Sequence, residues 1–364
     1  MDDRVREHAE TIVDYSLDID AGDEVVVRAP SVADDLAVAV SELLGERGAY
    51  PVVMSGREDE KQAAFLAAAD PDELETPEHE QALFEAADAA LHVRAHANAS
   101  EMSDVDAETH AAYNQAYQPI QEEILSKRWL LTQHPSPGSA QLAEMSSRSY
   151  ADFVYGAMNK DWEAQREHQE GMVEILDSAE AVRIVSGDTT DLRMSVEGMK
   201  TINDHGKNNL PAGEVFTAPV PDSVEGEVLF DKPLVHQGRV VEDVHLVFED
   251  GEVVEHGAAK NEEVLTGVLN TDDGARRIGE LGIGMNRDID RFTYNMLFDE
   301  KMGDTVHLAI GRAYDICVPD DRDPNDSAVH VDMIVDMSED SYIEVDGEVV
   351  QRDGTFRFED GFEG

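Results

Sequence analysis

The sequence holds a single cysteine, Cys317, in 364 residues. A lone thiol excludes a disulfide framework and any zinc site built on cysteine pairs. Basic residues are scarce: 28 stand against 80 acidic ones, a formal charge of -52, and only 8 of the 28 are lysine. Nucleic acid and anionic membrane surfaces would repel such a chain, so neither is expected as a partner. No run of 18 apolar residues occurs, which excludes a membrane-spanning helix. The opening Met1-Asp2-Asp3-Arg4 leads into a polar amphipathic pattern without the apolar stretch of a signal peptide. The expectation is a cytoplasmic protein.

What is present begins with the acid itself. Asp and Glu run through every segment, interleaved with periodic apolar residues, rather than massing in a tail. They therefore decorate folded surfaces. Self-repulsion at this charge is severe at low ionic strength, and molar salt removes most of it by shortening the Debye length to about 3 Å. The composition reads as that of an extreme halophile's protein, the alternative being an acidic protein of ordinary surroundings.

The first half alternates helix and strand. Val5, Ala9, Ile12, Val13 and Leu17 form one helical stripe over 4–17, followed by a turn at Gly22 and an apolar strand at Val25-Val26-Val27. A helix over 32–46 stops at Gly48. Further short apolar strands fall at 51–54, 90–93 and 129–132. Buried strands separated by helices predict a largely parallel open sheet with helices on its faces. No GxGxxG follows the first strand, which argues against a dinucleotide site and a nucleotide-binding function.

One or two long helices are expected over 150–178. Past about residue 182 the texture changes to short strands and glycine turns, with hairpin signals at Asp250-Gly251 and Asp346-Gly347. The chain thus divides into an α/β domain over 1–181 and an α+β, mostly antiparallel domain over 182–364. One helix is predicted in the latter, over 261–281.

Four segments of the second half carry candidate chemistry. In Asn209-Leu210-Pro211-Ala212-Gly213-Glu214, proline and glycine constrain the backbone around one acid, as they would also in a turn with a solvated glutamate. In Ile278-Gly279-Glu280-Leu281-Gly282-Ile283-Gly284, glycines flank Glu280. They suggest close packing of backbone or ligand, or else a helix stop. Thr305-Val306-His307-Leu308-Ala309-Ile310 and Val329-His330-Val331-Asp332-Met333 read as strands. Each directs imidazole or carboxylate off one face and apolar side chains off the other. Acids fill 80 of 364 positions, so one His-x-Asp is weak by itself, and a surface histidine fits either strand taken alone. Together, two glutamates, two histidines and one aspartate without thiolate suit Zn²⁺, Co²⁺ or Mn²⁺. Five ligands exceed what one catalytic zinc uses and suit two ions sharing a carboxylate. His92 and His96, although four apart, lie at a strand end and read as non-ligands.

These segments resemble the M29 family of metallo-aminopeptidases, and the likeness extends over most of the chain. It is sharpest in Asn209-Leu210-Pro211 through Pro219, in Arg277 through Gly284 with Asn286, in Leu297-Phe298-Asp299-Glu300-Lys301 through Gly311, and in His330-Val331-Asp332. The resemblance implies that Glu214, Glu280, His307, His330 and Asp332 ligate two divalent ions, and that Tyr314 is an active-site phenol. It places catalysis in the C-terminal domain, with peptides as substrates and a homodimer as the assembly. Glu280 is expected to shuttle the proton and Tyr314 to donate to the oxyanion. Rival expectations are another metal-dependent amide hydrolase and a non-catalytic metal-binding homologue. Two departures stand out. Gly303-Asp304-Thr305 replaces the family's usual Gly-Gly-Thr, and the loop 319–328 is short and acidic, which bears on substrate preference.

Overall fold

A computed structural model describes residues 2–55, 59–236 and 238–364. The chain forms two compact units, residues 1–160 with 206–211, and residues 161–205 with 212–364. The change of texture read from the sequence at 181/182 thus lies twenty-one residues beyond the junction at 160/161. Two helices occupy the stretch read as one or two, Ser147–Met158 in the first unit and Trp162–Leu176 in the second.

In the first unit, five strands run parallel in the order Tyr50–Met54, Glu24–Arg28, Ala89–Arg94, Arg128–Gln133 and Asn209–Leu210. Val25, Val26 and Val27 are all buried, as are Ala89, Ala90 and Leu91. Both faces of these strands are covered, which is why they read as apolar runs without alternation. Phe84, Tyr117 and Ile120 from the helices Glu78–Ala86 and Ala107–Leu125 pack on Val26 and Ala90. The helix Asp34–Arg47 ends where predicted, at Gly48 with φ +78°, a left-handed cap that a side chain would resist.

The second unit is a sandwich of two antiparallel sheets around one core. The larger has eight strands; the smaller runs in the order His330–Asp336, Thr305–Gly311, Ile278–Gly284, Glu214–Thr217 and Ile202–Asp204. Val182, Ile184, Leu192 and Phe230 of the larger sheet pack against Leu281, Ile283, Val306, Leu308, Val331 and Met333 of the smaller. Asp250-Gly251 and Asp346-Gly347 both sit at positive φ, as type I′ hairpin turns require. The α/β and mostly antiparallel α+β architecture is therefore as the sequence predicts.

One element differs. The helix predicted over 261–281 ends at Leu269, and Glu280 lies on the strand Ile278–Gly284. Ile278 and Leu281 are spaced as on a helix. Against that, three glycines would each cost about 1 kcal/mol in a helix relative to alanine. The same segment also alternates Glu280, Gly282, Gly284 with Leu281, Ile283, and sheet neighbours on both sides satisfy it. Among the described residues, no helix is long and apolar enough to cross a membrane.

Candidate metal centre

The smaller sheet turns Val215, Leu281, Ile283, Val306, Leu308 and Val331 into the core. Its opposite face must then carry Glu214, Glu280, His307, His330 and Asp332, because side chains alternate along a strand. Cross-strand register lines them up: Gly284 faces Glu214, Gly282 faces His307, and Ala309 lies between Glu280 and Asp332. The register slips between Ile278 and Glu280. That bulge lets Ile278 enter the core while Glu280, two residues on, points to the other face.

Small residues make the floor. A Cβ on Gly282 would sit 2.0 Å from His307 Nε2 and Cε1, so the imidazole lies where any side chain would be. The glycines beside Glu280 do mark close packing, of the His307 ring on Gly282 and of the Gly311-Arg312 backbone on Gly279.

All five candidates come together. His307 Nε2 lies 3.1 Å from Glu280 Oε1 and 3.2 Å from Glu214 Oε2. His330 Nε2 lies 3.5 Å from Glu280 Oε2 and 3.5 Å from Asp332 Oδ1. Two donor groups result, Glu214–Glu280–His307 and Glu280–His330–Asp332, with Glu280 in both. Ligand atoms about 2.0–2.2 Å from a tetrahedral ion stand about 3.3–3.6 Å apart, so these spacings fit such ions without rearrangement. Glu214 Oε2 and Glu280 Oε2 are buried, and neither accepts a hydrogen bond among the described residues. Each faces an imidazole, His307 for Glu214 and His330 for Glu280, yet accepts no hydrogen bond from it, which leaves both oxygens open to a cation between donor and ring. His330 Nδ1 donates to the Arg312 carbonyl at 2.8 Å, which fixes the ring with Nε2 toward the cluster.

The electrostatics follow from crowding. Burial pushes the Glu214 carboxyl up to about 8, against the pull of Lys301 and His307. Burial opposes charge on His307, but Glu280 and Glu214 outweigh it and raise its pKa to about 10. His330 goes up to about 9, where Asp332 and Glu280 overcome the same penalty. Burial also works against the charge on Asp332, and the interaction with His330 prevails and lowers its pKa. In the metal-free chain the two imidazoles are thus cations at neutral pH, with Asp332 an anion beside them.

Surrounding residues hold the donors still. Gln169 Nε2 donates to the Glu214 carbonyl at 2.9 Å, and Asn286 Nδ2 donates to the Ala212 carbonyl at 2.9 Å. The Asn286 N–H donates to the Lys301 carbonyl, and the Gly303 N–H to that of Asn286. Asp299, buried, accepts from Thr293 N, Thr293 Oγ1 and Asn295 N at 2.7–2.9 Å. The segment Asp299-Glu300-Lys301 is consequently a buried network rather than a charged surface turn. Lys301 reaches the donors themselves, with Nζ 3.1 Å from Glu214 Oε1. A lysine amid so few offered a sequence signal, whereas Gln169, one polar residue on an amphipathic helix, offered none.

Tyr314 is exposed, with its ring centroid 4.7 Å from that of His330 and 6.0 Å from that of Phe216. Burial around its hydroxyl, with the charges of Glu280 and Asp332, raises its pKa and keeps the phenol a donor at neutral pH. Asp304, where the resemblance leads us to expect glycine, takes φ +60° and accepts from Arg287 Nε at 2.9 Å. Among the histidines read as non-ligands, His96 pairs with Asp59 at 2.6 Å in the first unit.

Such a set of oxygen and imidazole donors on a glycine-floored sheet defines a divalent-metal protein. The chain belongs to the thermophilic metalloprotease (M29) family, whose model matches residues 1–357. Aminopeptidase T of Thermus thermophilus is 29% identical over 394 residues, 95% of this chain and 94% of that protein. The structure of wild-type AmpT from Thermus thermophilus matches with a TM-score of 0.87 at 28% identity, covering 98% of this chain and 99% of that one. Aminopeptidase 2 of Geobacillus stearothermophilus is 37% identical over 172 residues. That match covers 42% of this chain, which spans 40% of the relative's length. A 2,5-dihydroxypyridine dioxygenase from Pseudomonas putida shares the fold alone, with a TM-score of 0.61 at 14% identity over 98% of this chain and 97% of that one. Membership of a metalloprotease family carries divalent-metal use with it, and the relatives named are aminopeptidases.

Proposed function

We propose that this protein is an aminopeptidase that removes N-terminal residues from peptides at a centre of two divalent ions, Zn²⁺, Co²⁺ or Mn²⁺. The observation that carries the reading is the sharing of Glu280 between two donor groups. Glu214 and His307 would hold one ion, His330 and Asp332 the other, with Glu280 spanning both. Ions bound there supply Lewis-acid polarisation of a carbonyl and acidification of water.

The chain's own residues do the rest. Both Glu280 oxygens face an imidazole, so its assignment as proton shuttle requires one of them to come free; it then takes the proton of the attacking water and passes it to the leaving amine. Tyr314, protonated and exposed beside His330, donates to the developing oxyanion. The backbone of Gly282, bare of a side chain, seats the imidazole of His307. We assign catalysis to the second unit, which contains every one of these residues. The acidity we read as adaptation to a salt-saturated cytoplasm, and the assembly as a homodimer.

The test is hydrolysis of amino-acyl anilides and of N-terminally blocked counterparts in molar KCl, on chelated protein and after adding back each ion. Metal-restored cleavage of free-amine substrates alone is the expected result. Equal cleavage of blocked substrates would make the protein a different amide hydrolase. A folded protein with two ions bound and no cleavage would make it a non-catalytic relative.

A further inference from the structure

The two glutamates of the cluster are not presented alike. Glu280 offers one oxygen to each imidazole, Oε1 to His307 and Oε2 to His330. Glu214 offers His307 only Oε2, because Oε1 is taken by Lys301 Nζ at 3.1 Å. The Lys301 side chain is 0% exposed and pairs also with Glu300. A buried ammonium is tolerated only when carboxylates compensate it, and two do so here.

The backbones of both partners are clamped by the same residue. Asn286 receives the Gly303 N–H, donates its own N–H to Lys301 and donates Nδ2 to Ala212, two residues before Glu214. The Met285 N–H donates to the Gly213 carbonyl at 2.8 Å. With neither side chain nor backbone free to shift, Glu214 cannot swing its second oxygen toward a ligand. Lys301 has no exposed surface with which to touch a substrate, so it acts through Glu214.

We infer that Lys301 is a positioning residue that restricts Glu214 to single-oxygen ligation and so makes the two metal subsites inequivalent. The Glu214–His307 subsite depends on Lys301; the His330–Asp332 subsite does not. The inference rests on the two-ion reading above. A point-charge ammonium suits the task because it blocks one oxygen and leaves the other open, whereas a guanidinium fork engages both.

The experiment is calorimetric titration of Co²⁺ into metal-free protein in molar KCl, with the visible absorption of bound Co²⁺ recorded in parallel. Wild type takes up two ions. Lys301→Met weakens one binding event by ~10–100-fold, the usual cost of losing a residue that orients a ligand, and leaves the other unchanged. On a His330→Ala background the surviving event is the Glu214–His307 one, and Lys301→Met weakens it by the same factor. Lys301→Arg retains the buried cation and guards against a failure to fold; it shows the same selective loss, with altered absorption at the affected ion. Two unchanged events in Lys301→Met, or two events weakened alike, overturn the inference while leaving the two-ion reading intact. A wild type that binds fewer than two ions overturns both.

Discussion

Adding one methyl group at Gly282 should disable the centre without touching a donor. The strand there is fully buried and of ordinary backbone conformation, so alanine meets no backbone strain. It meets His307 instead, with its Cβ 2.0 Å from Nε2 and Cε1 and 2.8 Å from Cδ2. Carbon contacts settle at about 3.5 Å or more, so the ring must retreat by about 1.5 Å. Metal–ligand distances hold to about 0.2 Å, and a displacement near 1 Å at an active site costs about 100-fold in rate. His307 is 1% exposed and has little room to move, so overpacking should also cost about 1–3 kcal/mol of stability. The assays are ion content after dialysis, anilide kinetics and urea unfolding, all in molar KCl. Gly282→Ala should lose the ion bound by His307 and at least about 100-fold in kcat/KM. In a Gly282→Ala/His307→Ala protein the methyl enters the space the ring has left, so most of its stability cost should vanish relative to His307→Ala alone. Full ion content with near-wild-type kcat/KM in Gly282→Ala would refute the seating of the ring on the strand.

In the metal-free chain, His307 and His330 have folded-state pKa values of about 10 and about 9, above the ordinary 6.5, and Glu214 stands at about 8, above 4.5. The folded state thus binds more protons than the unfolded one. The stability from the two histidines is complete below about 6.5 and drains as pH climbs toward 10, with Glu214 acting in the same direction from about 4.5 to 8. The melting temperature of chelated protein should fall between pH 6.5 and 9.5, less steeply in His307→Gln; a flat or rising profile contradicts the assignment. Asp299→Ala strands three donors, from Thr293 and Asn295, at about 1–3 kcal/mol each, so urea unfolding should report a loss of at least about 3 kcal/mol, and less in Asp299→Asn. Raising KCl from about 0.1 to about 1 M shortens the Debye length from about 10 to about 3 Å and should raise the melting temperature markedly; indifference to salt would remove the case for a halophilic surface.

Local patterns made much of the architecture legible. Apolar runs such as Val25-Val26-Val27 mark strands covered on both faces, Gly48 caps a helix, and Asp250-Gly251 and Asp346-Gly347 fold as the hairpin turns their residues favour. Period-two alternation around His307 and around His330-Asp332 shows which side chains share a face. Composition left no cysteine pair for a disulfide or a zinc site and argued against polyanionic partners, without reference to any fold.

Tertiary structure decided what alternation cannot. The spacing of Ile278 and Leu281 is that of a helix face, and both reach the core from a strand only through the bulge that pairing with the His307 and Glu214 strands imposes. The bulge beside Glu280 changes which face that carboxylate takes, and it exists because of register with a strand some thirty residues on. Lys301, Asn286 and Gln169 owe their roles to contacts between segments far apart in sequence. A sequence states which residues can lie on one face of a strand. Which strands adjoin, and hence which carboxylate stands 3.1 Å from which imidazole, depends on long-range pairing that no local period encodes.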